Sequence, residues 1–291
     1  MLKDYIIAKS TEDVIKSFSL YAGNCRVIAG GTDLILDLKS EKITCDHLID
    51  INKIESLKKI QLKDGEILIG AGVTHNEVNK SDLINEKGSL LAKACGTVGS
   101  LQIRNTATLV GNVVKAQPAA DGAVALVALD AMAQVEDSNG TKYIAVKDMY
   151  SGLSKSVIDS TSELVTHIKF KALQKNQGSS FVRLSQRNAL ALPMLNVAVV
   201  LSLNEDNSID WARIVMSPVG PKPTRATKAE DLLKGSTINN ELIIKASKLA
   251  AKDAHPRSSS LRGSAEYRKE VLETLIQRAL KEALSEAGLD I

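Results

Sequence analysis

The run GAVALVALDA that follows Asp121 is apolar on every side when wound as a helix. An exposed helix carries one apolar stripe, so a helix without a polar face must be covered all round, here by sheet on more than one face. The chain therefore needs enough other structure to surround it. With 291 residues, 44% of them hydrophobic and 24% charged, it can bury a full core as one large or two ordinary domains. The longest apolar run is about eight residues around Ala123 to Leu129, far from the roughly 20 that cross a bilayer. The opening MLKDYIIAKS lacks the basic start and long apolar core of a secretion signal, so a cytoplasmic location is the expectation.

Upstream of that run, strands and helices alternate. Ser10 is placed to cap a helix over Thr11 to Leu20, followed by a strand at Cys25 to Ile28, a helix from Asp33 to Lys39 and a strand at His47 to Ile51. Asp64-Gly65 marks a hairpin, as does Asn139-Gly140 further on. Helices are predicted near Asn76 to Asn79 and Gly88 to Ala94. Between them and Asp121 lies CGTVGSLQIRNTATLVGNVVKAQPAADG, poor in helical periodicity and long for a loop, which favours a functional role. After Asp148 the character changes. Glu163 to Phe170, Ser179 to Leu184, Pro193 to Leu203 and Trp211 to Met216 read as successive strands of an antiparallel sheet. Helices follow near Asn239 to Lys252 and over the stripe Val271, Leu272, Leu275, Ile276, Ala279, Leu280, Ala283, Leu284 and Ala287. This predicts an α+β class with two domains, residues 1–172 and 173–291.

Chemistry is concentrated in the glycine-rich segments. In VIAGGTDLILDLK, Gly30 and Gly31 permit positive φ and close approach of backbone N–H groups to an anion, and Thr32 adds a hydroxyl. Read alone, the simpler account is an ordinary turn with Thr32 as helix cap. The segment is neither Gly-x-Gly-x-x-Gly nor a Walker A loop. A second set of small and hydroxyl residues, Gly96 to Gly99 and Thr108 to Asn112, follows about 70 to 80 positions later, and two such loops could hold the two phosphates of one dinucleotide. Cys25, Cys45 and Cys95 and the four histidines are scattered, which argues against metal or a protein-held cluster. A net charge of +3 without a basic stripe, and 3% aromatics, argue against nucleic acid.

VIAGGTDLI, VGSLQIRNTATLVGN and PAADGAVALVALDA, in this order, resemble the FAD-binding medium subunit of the molybdenum hydroxylases, a family that includes xanthine dehydrogenase, nicotinate dehydrogenase and aerobic carbon monoxide dehydrogenase. PRSSSLRGSAEYR, Pro256 to Arg268, is similar to that family's final segment. The resemblance implies a two-part FAD domain of the vanillyl-alcohol-oxidase type followed by a smaller α+β domain. It implies that Val27, Ile28, Ala29, Gly30, Gly31, Thr32, Asp33 and Leu34 wrap the pyrophosphate, and that Gly99 with Thr108, Leu109, Val110, Gly111 and Asn112 supplies the second phosphate loop. Asp121 would accept from sugar or ribityl hydroxyls, or serve only as the cap of the apolar helix. Val165, Val182 and Arg183 match positions beside the flavin ring. Partner subunits would carry molybdopterin and [2Fe–2S] clusters, with NAD as an electron acceptor. Two alternatives stay open, a self-contained flavin reductase or oxidase of this fold and an assembly protein without FAD. Val110 bears on the second, because relatives commonly have glycine there. If that position required positive φ, a β-branched residue would be strained by about 1–3 kcal/mol.

Overall fold

A computed structural model describes residues 2–260 and 262–291. Leu261, inside the Pro256 to Arg268 segment, and Met1 lie outside the described residues. The first lobe is a three-stranded parallel sheet in the order β1-β3-β2, from β1 (Asp4–Ile7), β2 (Cys25–Ile28) and β3 (His47–Asp50). Helix α1 (Thr11–Tyr21) starts at a full capping box. Ser10 accepts from the Asp13 amide and the Asp13 carboxylate accepts from the Ser10 amide. Helix α2 (Leu34–Lys39) follows β2 after the glycine turn, and its cap position is Asp33 rather than Thr32.

The second lobe is a five-stranded antiparallel sheet. Its strands are β4 (Ile60–Lys63), β5 (Glu66–Gly70), β6 (Met132–Asp137), β7 (Gly140–Ala145) and β10 (Leu164–Lys171), in the order β4-β5-β10-β6-β7, with a small hairpin of β8 (Tyr150–Gly152) and β9 (Lys155–Ser156) beside it. The sequence pattern runs β10 on with the strands that follow it as one antiparallel sheet, although the domain limit at 172 leaves it in the first domain. The strand instead fills the centre of the five-stranded sheet, pairing His167 with Gly70 on one side and Ile168 with Ala133 on the other. Helices α3 (His75–Lys80), α4 (Asp82–Lys87), α5 (Ser89–Gly96), α6 (Leu101–Arg104), α7 (Leu109–Val114) and α8 (Asp121–Ala128) pack around it. The stretch expected to be one long loop therefore contains α6 and α7. Both are very short and depend on side-chain caps, Ser100 accepting from Ile103 and Thr108 from Gly111.

The C-terminal domain is the antiparallel sheet β11 (Gln177–Leu184), β12 (Leu195–Leu203), β13 (Ile209–Ser217) and β14 (Thr224–Arg225), with α9 (Thr227–Leu233), α10 (Asn240–Lys252) and α11 (Ala265–Glu286) on one face. Every residue of β12 is buried, because its two faces serve different cores. Val197, Val199 and Leu201 meet the helices, where Leu272, Leu275, Ile276, Ala279 and Leu280 form the α11 face, while Ala198 and Val200 join the core of the first domain. Against that second face lies α8, all eight of whose residues are buried. The sheet of β12 and β13 covers one side of it and helices α5 and α7 another, so sheet covers one face and helices complete the enclosure. Burying Val124, Leu126 and Val127 stabilises this junction by roughly 5–9 kcal/mol before chain entropy is subtracted.

Candidate functional site

Strand β2 ends at buried Ile28, whose carbonyl accepts from the Ile51 amide, and the Ala29 carbonyl accepts from Asn52 Nδ2 at 3.0 Å. Two acceptors are thus satisfied while the next donors are not. Among the described residues the amides of Gly30, Gly31, Thr32 and Asp33 donate to nothing. Gly31 has φ +67°, which turns the chain toward α2 and which a side chain would resist.

The facing wall is the turn before α7. The Ala107 carbonyl accepts from the His75 amide at 3.0 Å, and Leu109 donates to Val73, so this turn is fastened to the start of α3. Thr108 Oγ1 accepts from the Gly111 amide at 3.1 Å, leaving its own proton free to be donated. The two turns touch directly: a Cβ at Gly30 would lie 2.1 Å from the Thr106 carbonyl oxygen. Gly30 is required here for backbone contact between the lobes.

Between the turns lies a cleft of about 340 Å³. Val27 to Leu34 all line it, together with Thr108, Gly111 and Asn112. The other sequence candidates are elsewhere. Leu109 and Val110 point into the core at 0% and 3% exposure. Val110 is a helical residue outside the positive-φ set, so the strain considered for a β-branched side chain does not arise. Gly99 has φ +50° and packs on Ile103, while Val98 and Ile103 reach the cleft. Asp121 is not the cap of α8, a position held by Ala120. Its carboxylate is buried and accepts from Asn196 Nδ2 at 2.7 Å and Arg183 Nε at 3.3 Å, tying α8 to the C-terminal sheet. Burial pushes this carboxyl up, opposed by the Arg183 charge and by the hydrogen bonds from Asn196 and Arg183. Val165 belongs to the first core and Val182 packs on the second.

Several cleft residues carry no motif that sequence reasoning could use. Lys115 and Arg26 supply positive charge, and the Lys115 ammonium pairs across the cleft with Asp37 of α2. Lys115 follows the Thr108 to Asn112 motif by three positions, the one available hint. His75 is fully buried at the cleft's edge, and neither ring nitrogen has a partner among the described residues. Burial holds it at about 4, with the nearby Arg104 charge acting in the same direction, so it is neutral at pH 7. Asn112 Oδ1 is likewise buried without a donor. Open amides, free hydroxyl protons and two cationic side chains around one concavity suit a phosphate-bearing ligand.

Comparison with known proteins gives the lineage. Residues 2–170 match the family model described as the FAD binding domain in molybdopterin dehydrogenase, and residues 180–283 match the CO dehydrogenase flavoprotein C-terminal domain. The glyceraldehyde dehydrogenase medium chain of Sulfolobus acidocaldarius is 30% identical, aligned over 96% of this chain and 97% of its own. Subunit alpha of the 6-hydroxypseudooxynicotine dehydrogenase complex of Paenarthrobacter nicotinovorans is 29% identical over 98% and 95% of the two chains. In three dimensions, a chain of reconstituted CO dehydrogenase from Oligotropha carboxidovorans superposes with a TM-score of 0.89 at 26% identity, covering 98% of this chain and 99% of that one. With one model spanning more than half of its length and a relative at 30% identity over nearly all of it, the chain belongs to the FAD-binding medium subunits of the molybdenum hydroxylase family.

Proposed function

We propose that this chain holds FAD in the cleft between its two lobes and acts as the electron-transfer subunit of a multi-subunit molybdenum hydroxylase. In that assembly a small subunit would carry [2Fe–2S] clusters, a large subunit molybdopterin, and NAD or another acceptor would receive the electrons. The observation that carries the FAD assignment is the row of unpaired amides from Gly30 to Asp33 facing Thr108 across a cleft that also holds Lys115. Backbone donors of this kind cost no reorganisation when they meet an anion. The relatives' names, "medium chain" and "subunit alpha", describe parts of complexes and support the larger assembly.

The residues fit the cofactor's pyrophosphate. Gly30 to Asp33 would donate four amides to one side, Thr108 its hydroxyl from the other, and Lys115 would exchange its pairing with Asp37 for a phosphate oxygen. Asn112 Oδ1 and the His75 nitrogens are further polar atoms awaiting partners at this edge. When bound, FAD supplies the redox chemistry, while the protein supplies binding, orientation and a local field. Neutral His75 leaves the positive charge at the cleft to Lys115 and Arg26, beside the carboxylates of Asp33 and Asp37. The Asp121, Arg183 and Asn196 cluster acts at one remove, fixing α8 and the C-terminal sheet so that the cleft walls keep their spacing. Val110 gives no ground for an assembly protein without FAD, since it is buried, helical and directed away from the cleft.

Affinity purification of the tagged chain from its native cells tests the assembly. A large molybdenum-containing and a small iron-containing chain are expected in stoichiometric amounts, and recovery of the chain alone with turnover of a small substrate would replace this reading with a self-contained flavoenzyme.

A further inference from the structure

The strongest cation of the cleft is already engaged. Lys115, at the C-terminal end of α7, pairs with the Asp37 carboxylate on α2, so a cation of one lobe is held by an acid of the other. Among the described residues Asp37 is the only hydrogen-bond or ion-pair partner of the Lys115 ammonium. Neither backbone is free to withdraw. Helix α2 is pinned to the parallel sheet by Leu34, Ile35 and Leu38, packed on Ile28, Cys45 and Leu48. Helix α7 is pinned by buried Leu109, Val110 and Val113. Only the side chains can part, and while they are joined the pair is a strap between the two walls.

The charge around the cleft is balanced, Arg26 and Lys115 standing against Asp33 and Asp37. An anion therefore gains no net attraction from these side chains until Lys115 leaves Asp37. The two side chains are 30% and 18% exposed, and a pair partly shielded from water is held more firmly than one on an open surface. The released carboxylate has a second partner within reach. Lys42, with its side chain 71% exposed, lies 3.9 Å from the same Asp37 and can close on it when Lys115 turns away. A phosphate oxygen returns to Lys115 the charge-assisted hydrogen bond that it gives up. The structure thus supplies both ends of an exchange, a cation that changes anions and an anion that changes cations.

We propose that the pair of Asp37 and Lys115 is an autoinhibitory latch, which without a ligand occupies the lysine a phosphate group needs and which binding opens by handing Asp37 to Lys42. The proposal rests on the reading of this cleft as the site of the FAD pyrophosphate. It makes Asp37 a cleft residue that opposes binding. When only the open state accepts the ligand, the apparent affinity is the intrinsic affinity reduced by the fraction of chains that are open. Removing the acid raises that fraction, so the loss of a cleft residue tightens the complex.

The test is a double-mutant cycle on the full chain freed of flavin and titrated with FAD, binding being read from flavin fluorescence. Asp37→Asn, which keeps the shape of the side chain, is expected to bind FAD about threefold to tenfold more tightly than the parent. Lys115→Met is expected to bind more weakly, and Asp37→Asn/Lys115→Met to bind no better than Lys115→Met alone, because without the lysine there is no latch to open. Both side chains reach solvent, so the variants should fold, and an unchanged near-UV spectrum checks this. Equal or weaker binding by folded Asp37→Asn overturns the latch. So does a gain that persists in full in the Lys115→Met background, which would show Asp37 acting by repulsion of the ligand alone. Binding by the parent without a gain in Asp37→Asn strikes the latch and leaves the cleft reading intact, whereas no binding by any of the four chains strikes both.

Discussion

Gly30→Ala is expected to leave the purified chain colourless. One methyl group suffices because its position is already occupied by backbone. It would lie 2.1 Å from the Thr106 carbonyl oxygen, 2.8 Å from that carbonyl carbon and 2.9 Å from Ala107 Cα. A flexible side chain could swing aside, but this turn is fastened to α3 through Ala107 and Thr108, so the two walls must separate. Gly30 does not have positive φ, so the effect is one of contact rather than of backbone strain. Ligand geometry is sensitive to displacements of an ångström, and loss of the amide row should weaken FAD binding by about a hundredfold or more. Gly152→Ala is a suitable control, because its nearest neighbour would lie at an ordinary 3.7 Å. Flavin absorbance per chain after gel filtration reads the result. Equal flavin in Gly30→Ala and the parent would remove this turn from the binding site.

Asp121→Ala is expected to cost about 3–5 kcal/mol of folding stability, the range for removing one partner of a buried ion pair. The Asp121 and Arg183 side chains are 6% and 9% exposed, and Arg183 keeps only a hydrogen bond to the Ala191 carbonyl when the carboxylate is gone. Asn196 loses its acceptor as well, in a strand buried throughout. The charge left behind dominates this cost. The double variant Asp121→Leu/Arg183→Met should therefore recover much of the loss, since no ion then remains unpaired. Denaturant unfolding of the three chains measures it, and a loss below about 1 kcal/mol in the single variant would contradict the role given to the pair.

What could be read from the sequence was local. The strand at Cys25 to Ile28, the capped helix after Ser10, both Asx-Gly hairpins and the stripe on α11 are patterns within one element, and the structure places each within a residue or two of its expected limits, apart from the N-terminal end of α11, which begins six residues earlier at Ala265. The apolar run after Asp121 correctly signalled enclosure, but periodicity could not say that helices supply part of the cover. Helices α6 and α7 are not visible in the sequence because LQIR and LVGNVV, four and six residues, are too short to carry a stripe, and the cap of α7, Thr108, reads as a candidate ligand. Strand β10 looked like its C-terminal neighbours because an antiparallel strand has no address in its own residues. Its partners β5 and β6 are fixed by contacts from far along the chain. The same reason hid the cleft's ion pair, whose members Asp37 and Lys115 are 78 positions apart, and the pairing of Asp121 with Arg183 across 62. The glycine motifs did identify the two turns that face each other. Why Gly30 must be glycine was visible only once Thr106 lay against it.

The most direct test of the central claim is the flavin content of the wild-type chain. The purified protein should be yellow, or become so on incubation with FAD, and heating should release one FAD per chain. A chain that stays colourless in excess FAD while giving the unfolding transition of an intact fold would contradict the assignment of this cleft.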